Sequence, residues 1–382
     1  MAIGDIIRVI AFLDFDEYGG TLPKIIHVAD AIYAIAYQGY KNDGYLKTIS
    51  IESDGTIGTV IESLEFDKTH CAHPWIVHIA DTVYAVAYCG PGSDGTLKTF
   101  SISADGTSIT LINTFVFDID ASTVEPVIVH ISGTTYAIFY GGPDNDGWIR
   151  TVTIQDDGTI TGEIAFLEFD TSHGMYSDPV HISGDVWAVA YTADGINGAG
   201  RIKTFTITDV GAISAITSYD YDTNQTGSPD IFHISGSVYG IAYANGTSGG
   251  LLKTTTINAN GTFGGTILSF LNFDTFAGAT WVTFIADNVW CLAYEGPGGD
   301  GWLRTIKIEN DGTITGQVSF CEYDGTDGKY PSMVHVSGDT YAIAYLGPGI
   351  DGWLKTVEIT TPAPRLVINA INKAYALARE EL

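Results

Sequence analysis

The sequence predicts an all-β protein of seven repeated four-stranded antiparallel sheets, the last closed by the N-terminal strand, followed by a short C-terminal helix. Three observations predict it. The chain of 382 residues carries 45 glycines, 12% aromatic residues and only 16% charged residues, a composition suited to many short strands joined by tight turns. A histidine-centred tripeptide recurs with a spacing of 51 or 52 residues, at His27, His78, His130, His181, His233 and His335, with Phe284 at the sixth of the seven positions. Alternation with period 2 runs through every repeat, with no helical period before the tail.

Within a repeat the elements follow in a constant order. The first strand ends in the histidine tripeptide. After a turn comes a second strand of form aromatic-small-aliphatic-small-Tyr, from YAIAY ending at Tyr37 to YAIAY ending at Tyr345. Its first, third and fifth residues share one face and its small residues the other, so a bulky face can mesh with the small face of a neighbouring sheet. A glycine-rich loop, often GPGxDG, leads to a third strand bearing Lys47-Thr48, Lys98-Thr99, Arg150-Thr151, Lys203-Thr204, Lys253-Thr254, Arg304-Thr305 or Lys355-Thr356. A second turn, typically Asp-Gly, precedes a fourth strand that ends at Asp16, Asp67, Asp118, Asp170, Asp222, Asp274 or Asp324. The seventh repeat stops after its third strand at Ile359, and DIIRVIAFLDFD at the N-terminus matches GEIAFLEFD ending at Asp170, so the first strand of the chain completes the last sheet.

On these repeats the chain resembles the seven-bladed β-propeller superfamily over residues 4 to about 360, with a strand closure like that of WD-repeat propellers. It lacks the Trp-Asp dipeptide of WD repeats, the kelch double glycine and a sialidase Asp-box in every blade. The resemblance implies a ring of blades around an axial channel, with ligand sites on the face made by the inter-blade linkers and the loops between second and third strands. Two segments follow: 1–361, the propeller, and 362–382, a linker and helix. Pro362 and Pro364 end the blades, and Val367, Ile371, Ala374, Ala378 and Leu382 fall at helical spacing over roughly 367–380. Such a short helix must bury its stripe on the propeller or in a partner, by self-association or with another protein.

Charge and cysteine content narrow the function classes. Lys+Arg of 17 against Asp+Glu of 45 gives a formal charge of −28, which argues against nucleic acid as a partner. Asp5, Arg8 and Asp14 interrupt the N-terminal apolar stretch, so no signal peptide is expected, and no run of about 20 apolar residues suggests membrane insertion. Cys71, Cys89, Cys291 and Cys321 form no paired frame. These features favour a cytoplasmic or virion-assembled protein.

The repeated histidines are expected to bond a neighbouring strand or loop rather than form a ring of metal ligands. A half-buried Lys or Arg in each third strand needs a partner, and the Asp closing each fourth strand supplies one; the alternative is that the basic tips reach out to solvent. Function is expected where the blades differ, in the linkers EYGGTLPK, KTHCAHPW, IDASTVEP, TSHGMYSDP, TNQTGSPD, TFAGATW and GTDGKYP. The ligand-binding candidates there are His70, His73, Trp75, His173, Tyr176, Trp281 and Tyr330. Trp148, Trp302 and Trp353 join them from Asp-Gly-Trp loops, where an indole stacking on a sugar and a carboxylate accepting its hydroxyls would suit a glycan; alternatively the indole fills a gap between blades. His70, Cys71 and His73 are spaced too tightly for an ordinary zinc site, and only Pro143-Asp144-Asn145-Asp146 approaches a calcium loop. No metal, cofactor or catalytic motif is expected. The leading expectation is a non-enzymatic binding or structural module that recognises a glycan or protein receptor on a virion or cell surface; the alternative is a propeller enzyme, a hydrolase or lyase, with its site at the mouth of the axial channel.

Overall fold

The computed structural model describes residues 2–119, 124–193 and 198–362. The strands of these residues form seven four-stranded antiparallel sheets. In six of them the strands lie side by side in chain order. In the seventh, Lys329–Ser337, Thr340–Leu346 and Gly352–Ile359 are followed by Ile6–Asp16, with Ile6 opposite Ile359 and Leu13 opposite Leu354. The first strands, Thr21–Ala29, Ala72–Ala80, Val124–Ser132, Met175–Ser183, Thr226–Ser235, Thr280–Ala286 and Lys329–Ser337, pack against one another in sequence, and the last touches the first. The molecule is therefore a closed seven-bladed β-propeller, with these strands around the axis; blades 1 to 7 are numbered by them. The helix predicted over roughly 367–380 lies outside the described residues.

Packing between blades follows the second-strand pattern. At the seam of blades 1 and 2, Ala34 and Ala36 receive Tyr84, Val86 and Tyr88. At the closing seam, Ala342 and Ala344 receive Tyr33, Ile35 and Tyr37. These tyrosines have essentially no exposed surface, and a small residue opposite a large one lets two sheets interlock without voids.

Each seam also carries a polar node. The terminal Tyr of the second strand donates its hydroxyl to the Asp ending the previous blade, at 2.5 to 2.9 Å, in all seven blades. The same carboxylates form ion pairs at 2.8 to 3.2 Å with Lys47, Lys98, Arg150, Arg201, Lys253, Arg304 and Lys355. In blade 4 Arg201 takes the role expected of Lys203, whose ammonium instead donates to the Phe169 carbonyl. The Thr after each basic position donates to the carbonyl of a turn glycine in the next blade at 2.6 to 2.8 Å. For Thr305 that acceptor is Gly4, which holds the left-handed conformation (φ 88°) of the turn glycines, so the N-terminus reproduces the turn it replaces.

The recurrent histidines donate from Nε2 to a turn carbonyl three residues on, at 2.8 to 3.0 Å, and pack on the aromatic residue that opens the second strand. Phe284 keeps the ring contact, 5.0 Å from Trp290. These side chains serve the turn on the face opposite the linkers.

Candidate functional site at the axial mouth

On the linker face six of the seven first strands open with a β-bulge, at Thr21/Lys24, Ala72/Trp75, Val124/Val127, Met175/Asp178, Gly227/Asp230 and Lys329/Ser332. The bulged residue takes positive φ in each: Leu22, His73, Glu125, Tyr176, Ser228 and Tyr330, between 45° and 56°. Such a bulge turns a side chain out of the ladder. The backbone device repeats while its side chains do not, so the fold provides the ring of positions and individual blades provide the chemistry. Blade 6 has no bulge there, Thr280 pairing directly with Tyr294 and Trp281 with Ala293.

The residue two further on forms a second ring. In blades 4, 5 and 7 it latches the seam: Asp178 accepts Ile231 N–H at 2.7 Å, Asp230 accepts Val282 N–H at 2.7 Å, and Ser332 Oγ accepts Ile25 N–H at 3.3 Å. In blades 1, 2 and 6 it carries Lys24, Trp75 and Trp281, which meet one another. The indoles lie 5.8 Å apart, and the Lys24 ammonium stands 4.6 Å from each ring centroid. Trp281 is fixed by its N–H, which donates to the Met333 carbonyl at 2.9 Å.

Beside this cluster His73 Nδ1 lies 3.2 Å from Glu125 Oε1, the two side chains being 27% and 21% exposed. Burial pushes the Glu125 carboxyl up to about 8, against an opposing pull from the Lys24 charge. Burial, and then that same charge, push the His73 imidazole down to about 4. The two displacements favour the neutral form of each group near pH 7. The charge of Glu125 raises Tyr176, and burial followed by the charges of Glu295 and Glu125 raises Tyr330, which places both phenols in the same neighbourhood.

The structure therefore gathers His73, Trp75, Tyr176, Trp281 and Tyr330 at the mouth and adds Lys24 and Glu125, which reasoning from aromatic and histidine content passes over. The signal for them is the linker proline: aligned on Pro23, Pro74, Pro126, Pro229 and Pro331, the linkers put Leu22, His73, Glu125, Ser228 and Tyr330 in one register and Lys24, Trp75, Val127, Asp230 and Ser332 in the other. His70 and His173 stay in their linkers, where their backbone N–H groups donate to Asp67 and Asp170. Trp148, Trp302 and Trp353 lie beneath Gly142, Gly296 and Gly347, which have no room for a Cβ above the indoles. Their ring N–H groups are buried with no protein acceptor, and each indole packs partly buried against a core cluster.

Among the described residues no group of three or more His, Cys, Asp or Glu side chains is placed to hold a metal ion. A cavity of about 390 Å³ lies at the seam of blades 5 and 6, lined by Gln225, Thr226, Asn245, Thr247, Thr275 and Phe276 among others. Its lining contains no ionisable side chain.

No protein-family model and no curated protein matches the sequence. Solved structures match it in fold. The periplasmic gluconolactonase of Pseudomonas aeruginosa superposes with a TM-score of 0.61 at 12% identity, over 87% of this chain and 98% of that one. A Bacteroides fragilis protein provisionally assigned as a 6-phosphogluconolactonase gives 0.58 at 10% identity, over 89% and 96%. Sqt1 of Saccharomyces cerevisiae gives 0.54 at 10% identity, over 94% and 100%. At such identity the likeness establishes the fold. The leading expectation of a non-enzymatic glycan- or receptor-binding module on a virion or cell surface is corrected by the names of these neighbours, two of the three being lactonases.

Proposed function

We propose that this protein is a propeller hydrolase with its site at the axial mouth, and that it opens the ester ring of an uncharged sugar-acid lactone. The observation that carries this reading is the convergence of Lys24, His73 and Glu125 from three blades, with the carboxyl and the imidazole displaced in opposite directions. Loss of the Glu125 proton near pH 8 leaves a carboxylate that accepts Nδ1–H, so that Nε2 presents a lone pair to water. Nε2 takes a proton from the water as its oxygen bonds to the lactone carbonyl carbon. The tetrahedral oxyanion stands in the field of Lys24. As the carbon–ring oxygen bond breaks, the imidazolium returns the proton to that oxygen, and the product is the open hydroxy acid. The names of the lactonase neighbours support this substrate class. The net charge of −28 favours an uncharged lactone over a phosphorylated one.

The test is hydrolysis of gluconolactone and 6-phosphogluconolactone, followed against pH and corrected for the buffer rate. The expected profile rises through about pH 8, with the unphosphorylated substrate preferred. Glu125→Gln should lose that rise, and both it and His73→Gln should lose about 10²- to 10⁴-fold in rate. Opening no faster than in buffer, or variants that match the wild type, would sink the reading.

A further inference from the structure

The site also flanks its cation with two aromatic planes, which its part in hydrolysis does not require. Lys24, Trp75 and Trp281 come from blades 1, 2 and 6, occupying the position that latches the seam in blades 4, 5 and 7. Two indole faces, each 4.6 Å from the ammonium, fix where that charge stands. The Trp281 N–H bond to Met333 holds one wall rigid. A protonated amine flanked by flat apolar walls matches a small molecule with a carboxylate at one end and a carbon chain whose C–H faces can lie on an indole.

We infer that Lys24, Trp75 and Trp281 form a seat for the carboxylate of a small polyhydroxylated acid. The inference deepens the hydrolase reading and rests on it for the identity of the ligand, since ring opening converts an uncharged lactone into such an acid beside Lys24. The product is then retained through its new charge, and the enzyme is inhibited by its own product. The acidity of the chain does not oppose this at physiological salt, because exposed carboxylates more than about 8 Å away are largely screened. Neutral lactones enter without needing the seat, so the effect falls on release.

The experiment compares gluconate with sorbitol, in which CH₂OH replaces the carboxylate, as ligands of the full chain. Binding is followed by tryptophan emission and by calorimetry. Trp75 and Trp281 flank the charge, so gluconate should alter the emission, and it should bind at least about 30-fold more tightly than sorbitol. Lys24→Met should lose that margin and Lys24→Arg should restore much of it, with thermal unfolding used to confirm that both variants fold. Equal binding of the two polyols to the wild type, no binding of gluconate, or an unchanged affinity in folded Lys24→Met would each overturn the inference. The hydrolase reading is judged separately. Glu125-dependent lactone opening without Lys24-dependent gluconate binding removes the seat and leaves the hydrolase; gluconate binding without any lactone opening does the reverse.

Discussion

Asp222 illustrates how one residue can serve both stability and turn geometry at a seam. Its Oδ2 accepts Tyr243 at 2.5 Å and Lys253 at 2.8 Å, while Oδ1 accepts Asn224 N–H at 2.9 Å in the linker. Burial pushes this carboxyl up, but those donors outweigh it, and it lies below the ordinary aspartate range, as do Asp16, Asp67, Asp170, Asp274 and Asp324. A depressed native value stabilises the fold above the unfolded aspartate pKa of about 3.9, and that stability is lost as pH falls through the native values. Thermal unfolding of the wild type should therefore move to lower temperature on acidification below about pH 4. Asp222→Ala, which strands Lys253 and the Tyr243 hydroxyl, should cost about 3 to 5 kcal/mol at neutral pH, and Tyr243→Phe about 1 to 2 kcal/mol. A melting temperature that rose on acidification would contradict this account. Glu125 behaves in the opposite sense: raised to about 8, it loses native stability as pH climbs from its unfolded value through 8, partly offset below about pH 6.5 by His73, whose native value is lowered. Between about pH 6.5 and 8, Glu125→Gln should lose less melting temperature than the wild type.

At the level of the strand, the period-2 pattern is enough to foresee seven equivalent sheets, but two features escape it. One is the close approach of the third strand to the aromatic residue before each node aspartate: Gly250 lies against Phe273, and Gly301 against Tyr323, where an added Cβ would collide with the ring. The other is the bulge that opens six first strands and turns His73 and Glu125 toward each other. A bulge adds one residue to one strand, and nothing in an alternating pattern announces it except the proline that follows in five of the six. Gly301→Ala should cost about 1 to 3 kcal/mol through overpacking. The N-terminal strand can be tested the same way: a chain lacking residues 1–16 leaves Gly352–Ile359 as an open edge and removes the Gly4 acceptor of Thr305. It should unfold at lower temperature and self-associate, as size-exclusion chromatography would report. A truncated chain that stayed monomeric and equally stable would mean that the seam does not depend on this strand.

For the molecule as a whole, charge and closure set the terms. Seven basic side chains are engaged in the seam nodes, so the remaining surface is more acidic than the composition suggests. Self-repulsion at −28 should make the melting temperature rise as salt is increased from about 20 to about 200 mM, where the screening length falls below about 10 Å; a fall would indicate that the ion-pair nodes dominate instead. The amino-acid sequence by itself determines the number of blades, the order of strands and the strand exchange at the ends. These repeat, and each depends on a local environment that recurs every 51 or 52 residues. Only the tertiary structure decides what happens at the mouth. Lys24, His73, Glu125 and Trp281 occur once each, in four different blades. Their proximity comes from the closed ring, and the opposite displacements of His73 and Glu125 come first from burial there, which no single stretch of chain encodes.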